Sequence, residues 1–121
     1  SPELHNNLGR IHLAAGRFAE AQQEFDKALA LAPRSAETLL NIGLLNQLQG
    51  RGDAALHFAQ RALQLDPNSV GALAQIAELR RDQGQFDEAV RLFGEALALD
   101  DSQPSLFLGL GDVLQRAGRF K

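Results

Sequence analysis

Histidines and carboxylates are the side chains of this chain best suited to chemistry, but their spacing argues against a catalytic or metal site. His5 and His12 are seven residues apart, which on a helix is roughly 10 Å along the axis and too far for one metal ion to bind both. Glu20 and Glu24 form a carboxylate pair that is typical of a solvated helix face. We therefore predict no catalytic residue, no metal ligand and no cofactor, and we expect a protein without enzymatic activity.

A column of side-chain amides offers binding chemistry instead. Asn7, Asn41 and Gln75 recur at intervals of 34 residues, and Gly109 continues the series. An amide both donates and accepts hydrogen bonds, so a ladder of amides can hold the backbone of an extended peptide without reading its sequence. Two interpretations stay open. The column is either a peptide-binding ladder or a residue type that the repeat favours there for its own packing.

Leucines beside this column add an apolar surface. Three of them share one helix face at i, i+4, i+8 spacing: Leu40, Leu44 and Leu48. If this stripe is exposed, it marks a binding site; the alternative is burial by neighbouring side chains. Charged residues of both signs flank the stripe. The predicted partner-binding groove comprises these residues: Asn7, Arg10, Leu40, Asn41, Leu44, Leu48, Gln75, Glu78 and Asp82.

The elements that must position these side chains repeat with a period of 34 residues. Four glycines mark the period: Gly16, Gly50, Gly84 and Gly118. Between successive glycines, two stretches show the 3.6-residue apolar spacing of a helix. Such self-similarity indicates a stack of helix-turn-helix repeats. The repeats cover residues 2–35, 36–69 and 70–103, and a partial repeat covers residues 104–121.

One column of small residues predicts where paired helices touch. Gly9, Gly43, Ala77 and Gly111 lie in the first helix of each repeat, at the same register. Larger side chains there would push the helix axes apart. We therefore expect the second helix of each repeat to pack against this column.

These columns resemble the tetratricopeptide repeat. The first repeat carries the family signature at these positions: Leu8, Gly9, Ala21, Phe25, Ala28 and Pro33. The resemblance covers the whole chain, although Asp101 stands where the third repeat should have proline. It implies an all-α superhelix, or solenoid, of three full repeats plus the first helix of a fourth, as one domain over residues 1–121. It also implies a concave groove, lined by the first helices, that binds a peptide or protein.

Composition and charge exclude several classes of partner. The net charge of −3 and the pI near 5.5 provide no basic surface for nucleic acid or an anionic membrane. No apolar run approaches the roughly 18 residues of a membrane helix. The absence of cysteine leaves both cytoplasm and periplasm open. Because the chain has no methionine and stops within a repeat, we expect a fragment of a longer protein. Ten of its twelve basic residues are arginine and alanine is abundant, a bias that indicates a bacterial source.

The expected function is a non-catalytic scaffold for a protein or peptide partner. Two alternatives stay open: a spacer in a bacterial envelope protein of exopolysaccharide secretion, or the substrate-recruiting repeats of an enzyme such as a glycosyltransferase. The last helix also carries an apolar stripe of Phe107, Leu110 and Leu114 that a following helix would normally cover. An uncovered stripe of this kind predicts self-association through that helix.

Overall fold

The computed structural model describes residues 1–118, which form seven α-helices and no strands. The helices are α1 (Pro2–Ala14), α2 (Phe18–Leu31), α3 (Ala36–Leu48), α4 (Gly52–Leu65), α5 (Val70–Asp82), α6 (Phe86–Leu99) and α7 (Pro104–Arg116). Each of the three full repeats contributes two helices, and α7 is the first helix of the partial repeat. The predicted all-α fold is confirmed. Within the described residues, no helix is both long and apolar enough to cross a membrane.

The helices group into two compact units. Helices α1 to α4 form the first compact unit, Ser1–Asp66, and α5 to α7 belong to the second, which begins at Pro67. The first compact unit therefore holds two complete repeats, and the second holds the third repeat together with α7. That the two units make one domain over residues 1–121 stays a prediction.

A glycine in the left-handed region ends the first helix of each repeat. Gly16 has a φ of +75°, a conformation that glycine adopts without the steric cost of a Cβ atom. Its N–H donates to the carbonyl of Leu13 at 3.1 Å, and the N–H of Arg17 donates to the carbonyl of His12 at 2.8 Å. These bonds satisfy carbonyls that the end of a helix leaves without partners. The same bonds recur one and two periods later, which explains the regular glycines.

Helix α6 ends without the proline that follows the second helices of the earlier repeats, Pro33 and Pro67. The carboxylate of Asp100 takes over this role by accepting hydrogen bonds from the Ser102 hydroxyl at 2.6 Å and the Ser102 N–H at 2.9 Å. These bonds, the hydroxyl first, lower the pKa of Asp100 below its usual value. A local side-chain turn of this kind offers the backbone an alternative to continuing the helix, so Asp101 in place of proline does not disturb the repeat.

In the first repeat, an aromatic ring of α2 lies directly on the backbone of α1. Phe25 is fully buried, and a Cβ atom added at Gly9 would lie 2.6 Å from its Cδ1 atom. Ala21 and Ala28, at i−4 and i+3 from the ring, are buried on the same face of α2. The predicted contact between the small-residue column and the second helix is therefore confirmed in this repeat.

The same column behaves differently at its last position. Gly43 and Ala77 are buried, whereas Gly111 is only partly buried, and no atom of the described residues lies within 4 Å of a Cβ added there. This agrees with the expectation that the partial repeat contributes only its first helix, because α7 has no paired helix among residues 1–118.

We expect Gly9→Ala to lower the free energy of unfolding by about 1–3 kcal/mol, because the new methyl group overlaps the buried ring of Phe25. Gly94→Ala is the matched control, since Gly94 lies inside α6 with open space around its Cα. There, alanine should raise stability by about 0.5–1 kcal/mol through helix propensity. Urea unfolding followed by circular dichroism measures both values. Equal effects of the two substitutions would contradict the packing described here.

Candidate functional site

Side chains of α1 and α3 line a pocket of about 220 Å³ in the first compact unit. Arg10, Leu13 and Ala14 come from α1, and Leu44 and Leu48 come from α3. Four of these side chains are apolar and one is a cation. The volume lies below the range of about 300–1,000 Å³ that whole small-molecule ligands occupy. The pocket therefore suits a single side chain of a larger partner.

The floor of this pocket is part of the hydrophobic core. Leu13 is buried in a cluster with Phe25 and Ile42, and Leu44, which is half-buried, packs against the same cluster. Leu48 follows Leu44 by one helical turn, on the same face of α3, and is 55% exposed. The pocket thus combines a floor fixed by core packing with a leucine available to a partner at its edge.

Arg10 supplies the charge at the edge of the pocket. Its side chain is exposed, and it makes no hydrogen bond or ion pair within residues 1–118. A guanidinium group carries five N–H donors in a planar fork that matches a carboxylate or phosphate. Asn7, also exposed, precedes Arg10 by one turn on α1. An exposed amide therefore lies one helical turn from the cation of the pocket.

Three of the groove residues predicted from the sequence line one pocket in the first compact unit: Arg10, Leu44 and Leu48. Their predicted proximity is therefore present in the structure. Leu40 is half-buried on α3, one turn before Leu44. The leucine stripe is thus neither fully exposed nor fully buried: exposure increases towards the end of α3. That these residues bind a partner stays a prediction.

Asn41, the second member of the amide column, hydrogen-bonds another side chain of the protein. It is buried, and its Nδ2 donates to Oδ1 of Asn6 at 3.2 Å. Asn6 is buried as well and donates through Nδ2 to the hydroxyl of Thr38 at 2.9 Å, which in turn donates to Oγ of Ser35 at 3.0 Å. This network joins α1 to α3. It favours the interpretation that the asparagine at position 41 serves packing.

The amide column also ends before its fourth position. A Cβ atom at Gly109 would lie 2.7 Å from Cζ of Phe93, so the ring of Phe93 occupies the space that a side chain would need. Asn7, at the other end of the column, is exposed. The members of the column therefore have different surroundings and do not form a uniform ladder of exposed amides.

Asn6 is a buried polar residue outside the groove set predicted from the sequence. Its column otherwise contains Leu40, Ala74 and Leu108, so a single amide among apolar residues was the available signal. The donor and acceptor of a buried amide require partners. Thr38 and Asn41 supply them from α3.

The predicted site residues of the second compact unit lie on α5 beside an ion-pair cluster. Arg81 contacts Asp82 on its own helix (Nε to Oδ1, 3.3 Å) and Asp112 on α7 (Nη1 to Oδ2, 3.3 Å). Gln75 and Glu78 are half-buried on the same helix. Arg81 is 20% exposed, while Asp82 and Asp112 are 50% and 39% exposed, so solvent still screens both pairs and each contributes about 0–1 kcal/mol. Asp82 therefore has an arginine partner within the protein, and its role towards a binding partner stays a prediction.

The histidines and carboxylates do not assemble a metal site. Within residues 1–118, no three of the side chains His, Asp and Glu lie close enough to hold a metal ion. Nδ1 of His5 lies 3.1 Å from Oε2 of Glu24, which also faces Lys27. Glu24 is mostly buried, so the expectation of a fully solvated carboxylate pair with Glu20 is wrong. The reason is that His5 on α1 reaches across to α2.

Comparison with known proteins places this arrangement in context. The family model described as Tetratricopeptide repeat matches residues 1–68 and 34–102. The fold is similar to the crystal structure of the Sgt2 TPR domain from Aspergillus fumigatus, with a TM-score of 0.87 and 18% sequence identity, over 97% of this chain and 79% of that chain. At this identity the likeness shows the fold alone. No curated protein sequence matches the chain.

We expect Asn6→Ala to lower the free energy of unfolding by about 1–3 kcal/mol, because it leaves buried polar groups of Thr38 and Asn41 without partners. Asn7→Ala, one residue later and exposed, should change stability by less than about 0.5 kcal/mol. Urea unfolding of both variants measures the difference. Indistinguishable stabilities would contradict a structural role for the network.

Proposed function

The chain belongs to the tetratricopeptide repeat family, and we propose that it is a non-catalytic scaffold that binds a protein or peptide partner through its first compact unit. Helical repeats present extended surfaces on which peptides and proteins dock. Both the family and the fold support an interaction scaffold in general. The proposal also names the surface that binds the partner, which is the pocket between α1 and α3.

The pocket between α1 and α3 carries this proposal. The sequence pattern alone predicts Arg10, Leu44 and Leu48 as groove residues, and in the folded chain all three line one pocket. An apolar pocket with a few polar groups at its edge is the usual form of a recognition site. The other predicted groove residues of this unit, Asn7 and Leu40, lie on the same two helices.

The charges around the pocket indicate what it binds. Arg10 has no anionic partner within the described residues, and the pocket beside it is apolar and small. We infer that the partner presents an aliphatic side chain next to a carboxylate. The aliphatic group fills the space between Leu13 and Leu48, and the carboxylate pairs with Arg10. The exposed amide of Asn7 is placed to hydrogen-bond the partner's backbone.

Leu48 is the better residue for testing this proposal than Leu44. Leu44 packs against the core cluster, so a charged residue there would lower stability as well as binding. Leu48 is 55% exposed at the end of α3, and Leu31 on α2 is 57% exposed. Leu31 lies outside the pocket, so the pair forms a matched set of equal exposure.

We expect selection of a displayed random peptide library on the chain to enrich sequences that place Leu or Ile beside Asp or Glu. For a selected synthetic peptide, Leu48→Arg and Arg10→Glu should each weaken binding by tenfold or more, which is about 1.4 kcal/mol. Leu31→Arg should bind as the unmodified chain does. Isothermal titration measures affinity, and circular dichroism confirms folding. Unchanged affinity in a folded Leu48→Arg variant would show that this pocket is not the site.

A further inference from the structure

The hydrogen-bond network between α1 and α3 lies one helical turn before the pocket on both helices. Asn6 precedes Arg10 by four residues on α1, and Asn41 precedes Leu44 by three residues on α3. These spacings place each pair on one helix face. Asn6 and Asn41 are only 2% and 8% exposed, so the network is buried beside the pocket walls and offers almost no surface to a partner.

Asn6 holds α3 at two points. Its Nδ2 donates to the hydroxyl of Thr38 at 2.9 Å, and its Oδ1 accepts from Nδ2 of Asn41 at 3.2 Å. Thr38 and Asn41 are three residues apart, which is about 4.5 Å along the axis of α3. Two attachment points restrict both sliding and rotation of α3 against α1, because either movement stretches one bond beyond hydrogen-bonding distance.

Ser35 determines which way round the amide of Asn6 lies. Its Oγ accepts hydrogen bonds from the hydroxyl of Thr38 at 3.0 Å and from the N–H of Thr38 at 3.2 Å. Because the hydroxyl hydrogen is engaged there, the oxygen of Thr38 acts as an acceptor towards Asn6. Asn6 must then direct its NH2 group to Thr38 and its oxygen to Asn41. The network therefore has a single arrangement of donors and acceptors.

The repeat does not need this network in order to fold. Between α5 and α7, the places equivalent to Asn6 and Thr38 hold Ala74 and Leu106, and the place of Asn41 holds Gly109. None of these side chains can form a hydrogen bond, yet α5 and α7 form helices of the same length as α1 and α3. The network is therefore particular to the junction that carries the pocket.

We propose that the network holds the two walls of the α1–α3 pocket at one separation and one register, which makes Asn6 a positioning residue for partner binding. The inference rests on the function proposed above for this pocket. Apolar contact between helices is not directional, whereas a fully satisfied buried network rigidifies its surroundings and specifies one arrangement. A pocket that accepts a single side chain requires walls at a fixed distance.

The test removes every hydrogen bond of Asn6 while keeping the shapes of the side chains. The triple variant Asn6→Leu, Thr38→Val, Asn41→Leu replaces each side chain by an apolar one of the same branching. Replacing all partners of a buried polar group in this way is nearly neutral or stabilising. We therefore expect the unfolding midpoint to stay unchanged or rise, while the walls of the pocket lose their fixed register.

Asn46→Leu is the matched control. Asn46 is also buried on α3, at 7% exposure, but its Nδ2 donates to the carbonyl of Ile42 in its own helix at 2.8 Å. The control thus removes a buried amide of α3 without removing a hydrogen bond to α1. Thr38→Ser is a second control, because it keeps the hydroxyl that accepts from Asn6.

The first measurement is the distance between the ends of α1 and α3. The chain has no cysteine, so Ala15→Cys and Gln49→Cys allow two nitroxide labels at exposed, equivalent positions outside the pocket. Electron paramagnetic resonance should give a narrow distance distribution for the unmodified network and for Asn46→Leu, and a broader one for the triple variant. An equally narrow distribution in the triple variant would overturn the proposal, whether or not a peptide ligand is known.

The second measurement is the affinity for a selected peptide whose binding Leu48→Arg weakens. The triple variant should bind it at least tenfold more weakly, whereas Asn46→Leu and Thr38→Ser should bind as the unmodified chain does. Unchanged affinity in the folded triple variant would contradict a positioning role. If the triple variant does not fold, Thr38→Val is compared with Thr38→Ser, and only the former should weaken binding. Failure of the proposed function is seen separately, as binding that Leu48→Arg leaves unchanged, and the nitroxide distances then decide the inference.

Discussion

A phenylalanine ring pressed against glycine backbone fixes the helix packing in both compact units. In the first, Phe25 of α2 lies on Gly9 of α1; in the second, Phe93 of α6 lies on Gly109 of α7. Contacts this close require that one helix has no side chain at the crossing point. They set how near the helices lie, and hence which residues of the remaining faces reach the surface. Phe25 also packs in the same cluster as Leu13, which lines the pocket of Arg10 and Leu48.

The parts of the structure that could be predicted from the sequence are those that depend on local physics. Apolar spacing gives the helices, and glycine's tolerance of positive φ gives the turns, so both follow from residues within one repeat. The meeting of Leu44 with Arg10 could be predicted because the repeat assigns each residue a register. The burial of Asn41 could not be predicted in this way, because its amide donates to Asn6 only after α3 has packed on α1. Spacing along one helix contains no information about that choice.

Two exposed surfaces of the described residues differ in the chemistry they present. The α1–α3 pocket joins an apolar floor to an exposed guanidinium, so the recognition that we propose there combines burial with a charge-assisted hydrogen bond. The face of α7 exposes Phe107 and Leu108 beside Gly111, and the arginine partners of Asp112 already satisfy the charge at its edge. One repeat pattern thus produces two surfaces of different character through substitutions at equivalent positions.

The hydrogen bonds of the glycine turns have a consequence for how the chain acquires its structure. Each turn is closed by bonds between residues three to five positions apart, such as Gly16 to Leu13 and Arg17 to His12. The helices that the turn joins are neighbours in sequence, so little chain entropy is lost in bringing them together. Topologies of such low contact order fold in roughly microseconds to milliseconds. The bonds of such a hairpin therefore lie within its own 34 residues, whereas its apolar face is buried only when the next repeat packs on it, as Ile42 and Leu45 of α3 pack around Phe25.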